Sequence, residues 1–324
     1  MSVLVTGATG LVGNNVVRML LDRGEEVRVF VRQNADSRPL QGLQIQVVRG
    51  DVRNPEAAQQ AADGVDLIIH SAAIVKVGRT GLDTFRAVNV EGTRNIASLA
   101  RAAGVRMVHV SSCDAVGINS LEKAADEETP FEVETKAPYI LTKLEAEQVI
   151  QEEVERGLNA VIANPSFMLG PWDWKPSSGQ MLLEVARGRG WFAPHGYFSV
   201  ADVRDVSTGV LAAADHGQVG RRYILSGETM SYLDAWRLFA DVVGIRPPWA
   251  HAEPTAARIG GWFGDVWGML TGNEPAINSG AVALTNLPRN YSCARAEAEL
   301  GYRRRPVRQT VQNAWEWFQD YGYA

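Results

Sequence analysis

Short apolar runs alternate along the first half of the chain with longer stretches in which apolar side chains recur at helical spacing. Val3-Leu4-Val5 is the first run and leads into Thr6-Gly7-Ala8-Thr9-Gly10-Leu11-Val12-Gly13. From Leu11 to Arg23 the apolar positions share one helical face, and Gly24 supplies a left-handed C-cap. Val27-Arg28-Val29-Phe30-Val31 and Ile45-Gln46-Val47-Val48 read as the second and third strands. Val65-Asp66-Leu67-Ile68-Ile69-His70 has the continuous apolar character of a strand buried on both faces of a parallel sheet. Leu82 to Ala103, closed by Gly104, predicts a long helix, and Met107-Val108-His109-Val110 a fifth strand. The alternation predicts an α/β fold on a doubly wound parallel sheet.

The turn after the first strand carries candidate chemistry. Gly7 permits the tight turn, Gly10 lets the backbone approach a pyrophosphate, and Gly13 lets helix and strand pack closely, while the helix start offers N–H groups to an anion. The pattern predicts a dinucleotide cradle, with Thr9, Leu11 and Val12 beside the phosphates; the alternative is an ordinary βα turn. About twenty positions past the loop, where an NAD enzyme places an acidic residue on the ribose, stands Arg32. An arginine there suits a 2′-phosphate, so the expected cofactor is NADPH, with Ser37 or Arg38 as helpers. The alternatives are a solvated strand-end arginine, and NAD as the cofactor. After the third strand come Asp51 and Val52; Asp51 either accepts from the adenine amino group or caps the next helix. Small residues at Ser71, Ala72 and Ala73 leave room for the cofactor, and His70 reads as a packed histidine.

The fifth strand ends in Ser111-Ser112-Cys113-Asp114-Ala115-Val116-Gly117, and Tyr139-Ile140-Leu141-Thr142-Lys143 opens a later helix. Tyrosine and lysine at this spacing share one helix face. An ammonium beside a phenol stabilises phenolate, which makes Tyr139 a proton donor to a carbonyl oxygen, and a strand-end serine hydroxyl supplies a second hydrogen bond to that oxygen. The bland alternative is a surface pair.

With the glycine loop, the serine-bearing strand and the Tyr-Lys pair in place, the chain resembles the extended short-chain dehydrogenase/reductases over essentially its whole length. Asn89-Val90-Glu91-Gly92-Thr93, Asn164-Pro165-Ser166-Phe167-Met168-Leu169-Gly170-Pro171, Asp202-Val203-Arg204-Asp205-Val206 and Leu300-Gly301-Tyr302 add to the likeness. The resemblance implies a Rossmann domain, a catalytic Ser112-Tyr139-Lys143 triad, Lys143 on the cofactor ribose, and Pro165 and Ser166 beside the nicotinamide. The family's serine spacing, counted back from Gly117, selects Ser112 and turns Ser111 to the other side of the sheet. Gly170-Pro171-Trp172-Asp173-Trp174-Lys175-Pro176 and Trp317-Phe318 to Gly322-Tyr323 are similar to dihydroflavonol 4-reductase-like proteins and hopanoid-associated sugar epimerases. The family also implies a homodimer packed through Leu82–Ala103 and Tyr139–Arg156.

Beyond Pro165 glycine, proline and tryptophan become frequent, which predicts a smaller substrate-binding lobe. The expected division is residues 1–165 with 199–225 for the nucleotide domain, 166–198 with 226–305 for the lobe, and 306–324 as a C-terminal helix. Phe167, Met168, Trp172, Trp174 and Met181, with Trp191, Phe192, Tyr197 and Phe198, suggest an aromatic substrate pocket or simply the lobe's core. Asp114 reads as an extra acid/base group, a substrate contact or a locally hydrogen-bonded carboxylate. Trp262, Phe263 and Trp267 look like a packing face or an interface. Nucleotide-sugar enzymes of the superfamily carry an arginine just before the crossing segment, where this chain has Tyr197-Phe198-Ser199-Val200-Ala201; Arg187, Arg189 or Arg295 are the candidates to compensate.

The 324 residues, 46% hydrophobic and 21% charged, suffice for a large core, and a net charge of −5 gives no basic footprint for nucleic acid or membrane. No apolar run reaches the ~18 residues of a spanning helix, the first residues are already strand, and the two cysteines form no CxxC pair, so the expected location is cytoplasmic. The histidines lack ligand spacing, which predicts no metal. The sequence therefore reads as an NADPH-dependent carbonyl reductase acting on an apolar or aromatic small molecule. The alternatives are a sugar or nucleotide-sugar epimerase or dehydratase with tightly held NAD, and an inactive nucleotide-sensing regulator.

Overall fold

The computed structural model describes residues 1–75, 81–252 and 285–324; the aromatic stretch with Trp262, Phe263 and Trp267 lies outside them. β1 (Ser2–Thr6) is followed by α1 (Leu11–Asp22), β2 (Glu26–Val31), β3 (Gln46–Arg49), α2 (Pro55–Ala62) and β4 (Leu67–His70). Next, α3 (Leu82–Phe85) runs through a π-helical turn at Arg86–Glu91 into α4 (Gly92–Ala103), then β5 (Arg106–Val110), α5 (Pro138–Glu155) and β6 (Ala160–Pro165). The lobe elements are β7 (Phe167–Leu169), α6 (Gly179–Ala186), β8 (Phe192–Ala193) and β9 (Tyr197–Asp202). α7 (Val203–His216) and β10 (Arg222–Leu225) return to the main sheet before β11 (Glu228–Ser231), α8 (Tyr232–Val243) and β12 (Ala250–His251). The chain closes with α9 (Ala294–Leu300) and α10 (Val307–Asp320).

The main sheet has seven strands in the order β10-β6-β5-β4-β1-β2-β3, and every neighbouring pair is parallel. Strand order reverses between β1 and β4, which opens a crevice at their carboxyl ends. Alternation along β1 serves both faces. Val3 and Val5 join Val16, Leu20 and Val210 beneath α1 and α7, while Leu4 joins Ile68, Met107 and Ile162 beneath α2, α4 and α5. β4 starts at Leu67, two residues later than the apolar run suggests, and the Asp66 carboxylate accepts the Ser2 N–H at 2.7 Å.

A second core of Leu182, Phe198, Phe239 and Phe318 lies among α6, α8, α10 and the three-stranded sheet β11-β9-β7. β7 begins two residues after β6 ends, so this lobe grows from the carboxyl edge of the main sheet. Asn54 corrects one expectation: its side chain caps α2 by accepting the Ala57 N–H at 2.9 Å, with Pro55 in the first turn, so Asp51 is not the cap.

Candidate active site

The glycine loop fits a bound dinucleotide sterically and electrically. Gly7 holds φ +72°, and a Cβ there would come 2.6 Å from the Ser71 carbonyl carbon; at Gly13 it would overlap the Gly7 carbonyl oxygen. The Ser71 hydroxyl donates to the Thr6 carbonyl at 2.8 Å and the Ala72 N–H to the Thr6 hydroxyl at 3.2 Å, locking the segment through Ala73 against the loop. The first bond within α1 runs from the Asn14 N–H to the Gly10 carbonyl at 2.9 Å, and no side chain caps the helix. The N–H groups of Leu11, Val12 and Gly13 therefore stand ahead of the ladder, facing the loop that carries Thr9.

A cavity of about 430 Å³ at the ends of β2 and β3 brings Arg32 and Asp51 together with Gln33, Asn34 and Gly50. The Arg32 carbonyl accepts the Ala35 N–H at 3.0 Å, while its guanidinium has no hydrogen-bond or ion-pair partner among the described residues. Asp51 is held by Arg53 at 2.9 and 2.8 Å, and that guanidinium keeps its carboxyl below the usual range. Arg38 is already paired with Asp36 at 2.7 Å, which removes it as a free helper. Val52 is buried, and its carbonyl accepts from Asn95 at 3.0 Å.

At the end of β5, Ser112 is extended and its hydroxyl accepts the Asp114 N–H at 3.1 Å. The Tyr139 hydroxyl is the buried end of a part-exposed side chain and lies within electrostatic reach of Ser112 and Asp114. Burial, reinforced by Asp114, pushes this phenol above its ordinary pKa; the Ser112 hydroxyl opposes the shift. In the free site burial outweighs the lowering expected from Lys143. Lys143 instead donates to the Val110 carbonyl at 2.9 Å, and burial brings its pKa down to about 8.

One turn further along α5 lies Glu147, itself buried. Asn164 donates to Glu147 at 2.6 Å and to the Ser112 carbonyl at 2.9 Å, and Arg222 approaches the other Glu147 oxygen at 2.8 Å. Asn89, in the π-helical turn, donates to Thr142 at 3.1 Å and brackets the Ile74 backbone at 2.7 and 3.1 Å. These positioning contacts were missed from the sequence: Asn89 and Asn164 stood inside quoted motifs, but their partners are remote along the chain. His70 is packed, bonded to Thr6 at 2.7 Å and Thr93 at 3.0 Å, and burial lowers its pKa to about 3. Pro165 ends β6; Ser166 donates its N–H to the Leu225 carbonyl at 3.2 Å, and its buried hydroxyl has no partner among the described residues.

Across from Tyr139 the sequence also missed Arg289. Its guanidinium lies 3.4 Å from Asp114, so Asp114 makes a long-range ion pair where a local hydrogen bond was an alternative. Burial opposes the Arg289 charge, but Asp114, Tyr232, Tyr291 and Tyr139 together hold its pKa above the ordinary arginine value. The arginines proposed to compensate are engaged elsewhere: Arg187 and Arg189 on Glu184, Arg295 on Glu128. Two members of the expected aromatic pocket are redirected as well. Trp172 and Trp174 pack with Trp317 and Tyr321, Arg18 lies over Trp172, and Arg38 faces Trp174. Ring packing against α10 accounts for both. Phe167 packs edge-on to Phe198 at 4.9 Å, while Met168 and Met181 border the sheet core and the lobe core respectively.

Residues 3–226 match the model of the NAD dependent epimerase/dehydratase family. The chain belongs to that family. Sterol demethylase protein B of Methylococcus capsulatus is 34% identical, with 99% of each chain covered. A putative dihydroflavonol 4-reductase of Synechocystis is 33% identical over 98% of this chain and 95% of its own. The crystal structure of gox2253 superposes with a TM-score of 0.87 at 34% identity, covering 99% of this chain and 98% of that one. As a member of the epimerase/dehydratase family, the protein is an NAD(P)-dependent oxidoreductase of the extended short-chain dehydrogenase/reductase type. Among the described residues no helix is long and apolar enough to cross a membrane, and no cluster of three or more acidic, histidine or cysteine side chains is placed to hold a metal.

Proposed function

We propose that this protein is an NADPH-dependent reductase of a carbonyl on an apolar or aromatic small molecule. The observation that carries the reading is the convergence of Ser112, Tyr139 and Lys143 at the carboxyl end of β5, beside the strand-order reversal. The first turn of α1 would hold the pyrophosphate, Arg32 the 2′-phosphate, Lys143 the ribose, and the Ser71–Ala73 and Pro165–Ser166 segments would flank the remainder. When bound, the nicotinamide supplies the hydride. Ser112 and Tyr139 donate hydrogen bonds to the substrate oxygen, and Tyr139 passes it a proton as negative charge develops there. The high pKa of Tyr139 in the free site keeps that proton in place until substrate arrives. Lys143, which donates to the Val110 carbonyl in the free site, would hold the ribose and place a cation where phenolate forms.

Epimerase or dehydratase chemistry with tightly held NAD is the second reading, and one observation favours it: Arg289 supplies a cation absent from the crossing segment. Its pairing with Asp114 weighs against a diphosphate partner. We carry the expected homodimer through α4 and α5 as part of the proposal; sedimentation equilibrium tests it. The deciding experiment is mass spectrometry of any cofactor released on denaturation, followed by fluorescence titration of empty protein with NADPH and NADH. An empty site preferring NADPH, with oxidation of NADPH by aromatic ketones, supports the reductase. Retained NAD moves the assignment to the second reading, and binding of neither cofactor overturns both.

A further inference from the structure

Beside the Asp114 carboxylate lie buried donors with nothing to bind among the described residues. Arg289 meets Asp114 at 3.4 Å, yet among the described residues its buried Nε–H has no partner, and neither has the buried hydroxyl of Tyr291 two residues on. Buried donors are normally satisfied, because a bare one forfeits its hydration with no return. The segment that carries them is firmly placed. The Arg289 N–H bonds the Tyr197 carbonyl at 3.3 Å, and its carbonyl accepts from Ser199 at 3.2 Å. Asn290 accepts from Thr229 at 3.0 Å and donates to the Leu121 carbonyl at 3.0 Å, and Ala125 donates to the Asn290 carbonyl at 2.9 Å. The Tyr139 phenol lies within electrostatic reach of Asp114 and Arg289 both.

We propose that Asp114, Arg289 and Tyr291 form a subsite for a neutral oxygen function, hydroxyl or carbonyl, carried next to the carbonyl that Tyr139 protonates. Charge balance selects the class. A hydroxyl accepts from Arg289 and Tyr291 and donates to Asp114, whereas a carboxylate or phosphate accepts from Arg289 but meets the Asp114 charge at close range. A plain ketone leaves the donors bare. The inference deepens the reductase reading and rests on it for the identity of the reacting carbonyl, but the subsite is testable by binding alone.

Enzyme preloaded with NADP⁺ or NAD⁺ is titrated calorimetrically with phenylpropanol, its vicinal diol, and mandelate. The diol is expected to bind 10- to 100-fold more tightly than the mono-alcohol, the range for a hydrogen bond to a charged group, and mandelate no better than the mono-alcohol. Arg289→Lys keeps the ion pair and removes the Nε–H, so it should erase most of the diol's advantage. Tyr291→Phe removes only a hydroxyl that has no partner among the described residues, so it should cut the advantage several-fold at unchanged melting temperature. Asp114→Asn should admit mandelate. Equal affinity of wild type for diol and mono-alcohol, or equal loss of both in Arg289→Lys, overturns the subsite. A diol preference in a protein that oxidises NADPH with neither propiophenone nor α-hydroxypropiophenone leaves the subsite standing and removes the reductase reading.

Discussion

The two walls of the crevice are built by different means. On the side proposed for the cofactor, a few consecutive residues suffice: the backbone of Gly7 to Gly13 makes the turn, the close packing and the exposed N–H groups. On the side proposed for the substrate, side chains from remote segments meet, Asp114 from the end of β5 and Arg289 from just before α9, with Asn164 and Glu147 bonded nearby on β6 and α5. Backbone recognition is written locally and is intolerant of added bulk. Side-chain recognition is assembled by the fold and can be altered one group at a time.

The largest effect is expected where the walls meet. Tyr139→Phe should lower turnover by about 10²- to 10⁴-fold, the range for losing a positioned general acid, while cofactor affinity by fluorescence titration stays within a few-fold. Wild-type turnover in that variant would take Tyr139 out of the chemistry.

Next in size comes a charge buried in the lobe. Asp173 is 3% exposed and its carboxylate accepts a single bond, from the Gly179 N–H at 3.3 Å, so burial raises its pKa to about 7. A carboxyl that holds its proton more tightly when folded stabilises the protein below its unfolded pKa of about 4, and that stability is lost as pH rises toward and through the folded value. The full interval corresponds to about 4 kcal/mol. Asp173→Asn should therefore raise Tm at pH 8 and change it little at pH 4; a variant that melts lower at pH 8 would mean the carboxylate has a partner the folded chain needs.

Much of the first wall was legible in the sequence because each signal was short-range. Apolar runs and glycine caps marked the strands and α1, and the spacing of Tyr139 and Lys143 placed both on α5. Ends were less clear: Asp66 truncated β4, and Asn54, not Asp51, began α2. The second wall resisted for a physical reason. Nothing in Leu287-Pro288-Arg289-Asn290-Tyr291 distinguishes a buried arginine from a solvated one until the backbone pairs with Tyr197 and Ala125. Likewise, aromatic density after β6 could not say whether Trp172 and Trp174 line a pocket or pack on α10, because that choice depends on Trp317 and Tyr321, over a hundred residues away.

Glycine substitutions sharpen the backbone half of the comparison. Gly13→Ala should destabilise by about 3 kcal/mol and weaken cofactor binding, since its methyl group would overlap the Gly7 carbonyl oxygen. Gly24→Ala, at φ +75° with open space around it, should cost only about 1 kcal/mol and leave binding unchanged. Thermal melts with and without cofactor separate the two; equal effects would mean that the loop is ordinary turn structure.

The smallest effect is expected from Arg32, the side chain proposed for the 2′-phosphate. Arg32 is exposed and shares its cavity with Asp51, whose charge Arg53 already balances. A 2′-phosphate there would meet an unengaged guanidinium, but one screened by solvent and salt, so the discrimination should be about 10-fold, well below that of a buried pair. Arg32→Asp should reverse the sign of the interaction by repelling the phosphate and accepting from a free ribose hydroxyl, lowering the NADPH-to-NADH affinity ratio by that order. Raising ionic strength should shrink the wild-type ratio and barely move the ratio in the variant. An unchanged ratio in Arg32→Asp at low salt would place the phosphate elsewhere.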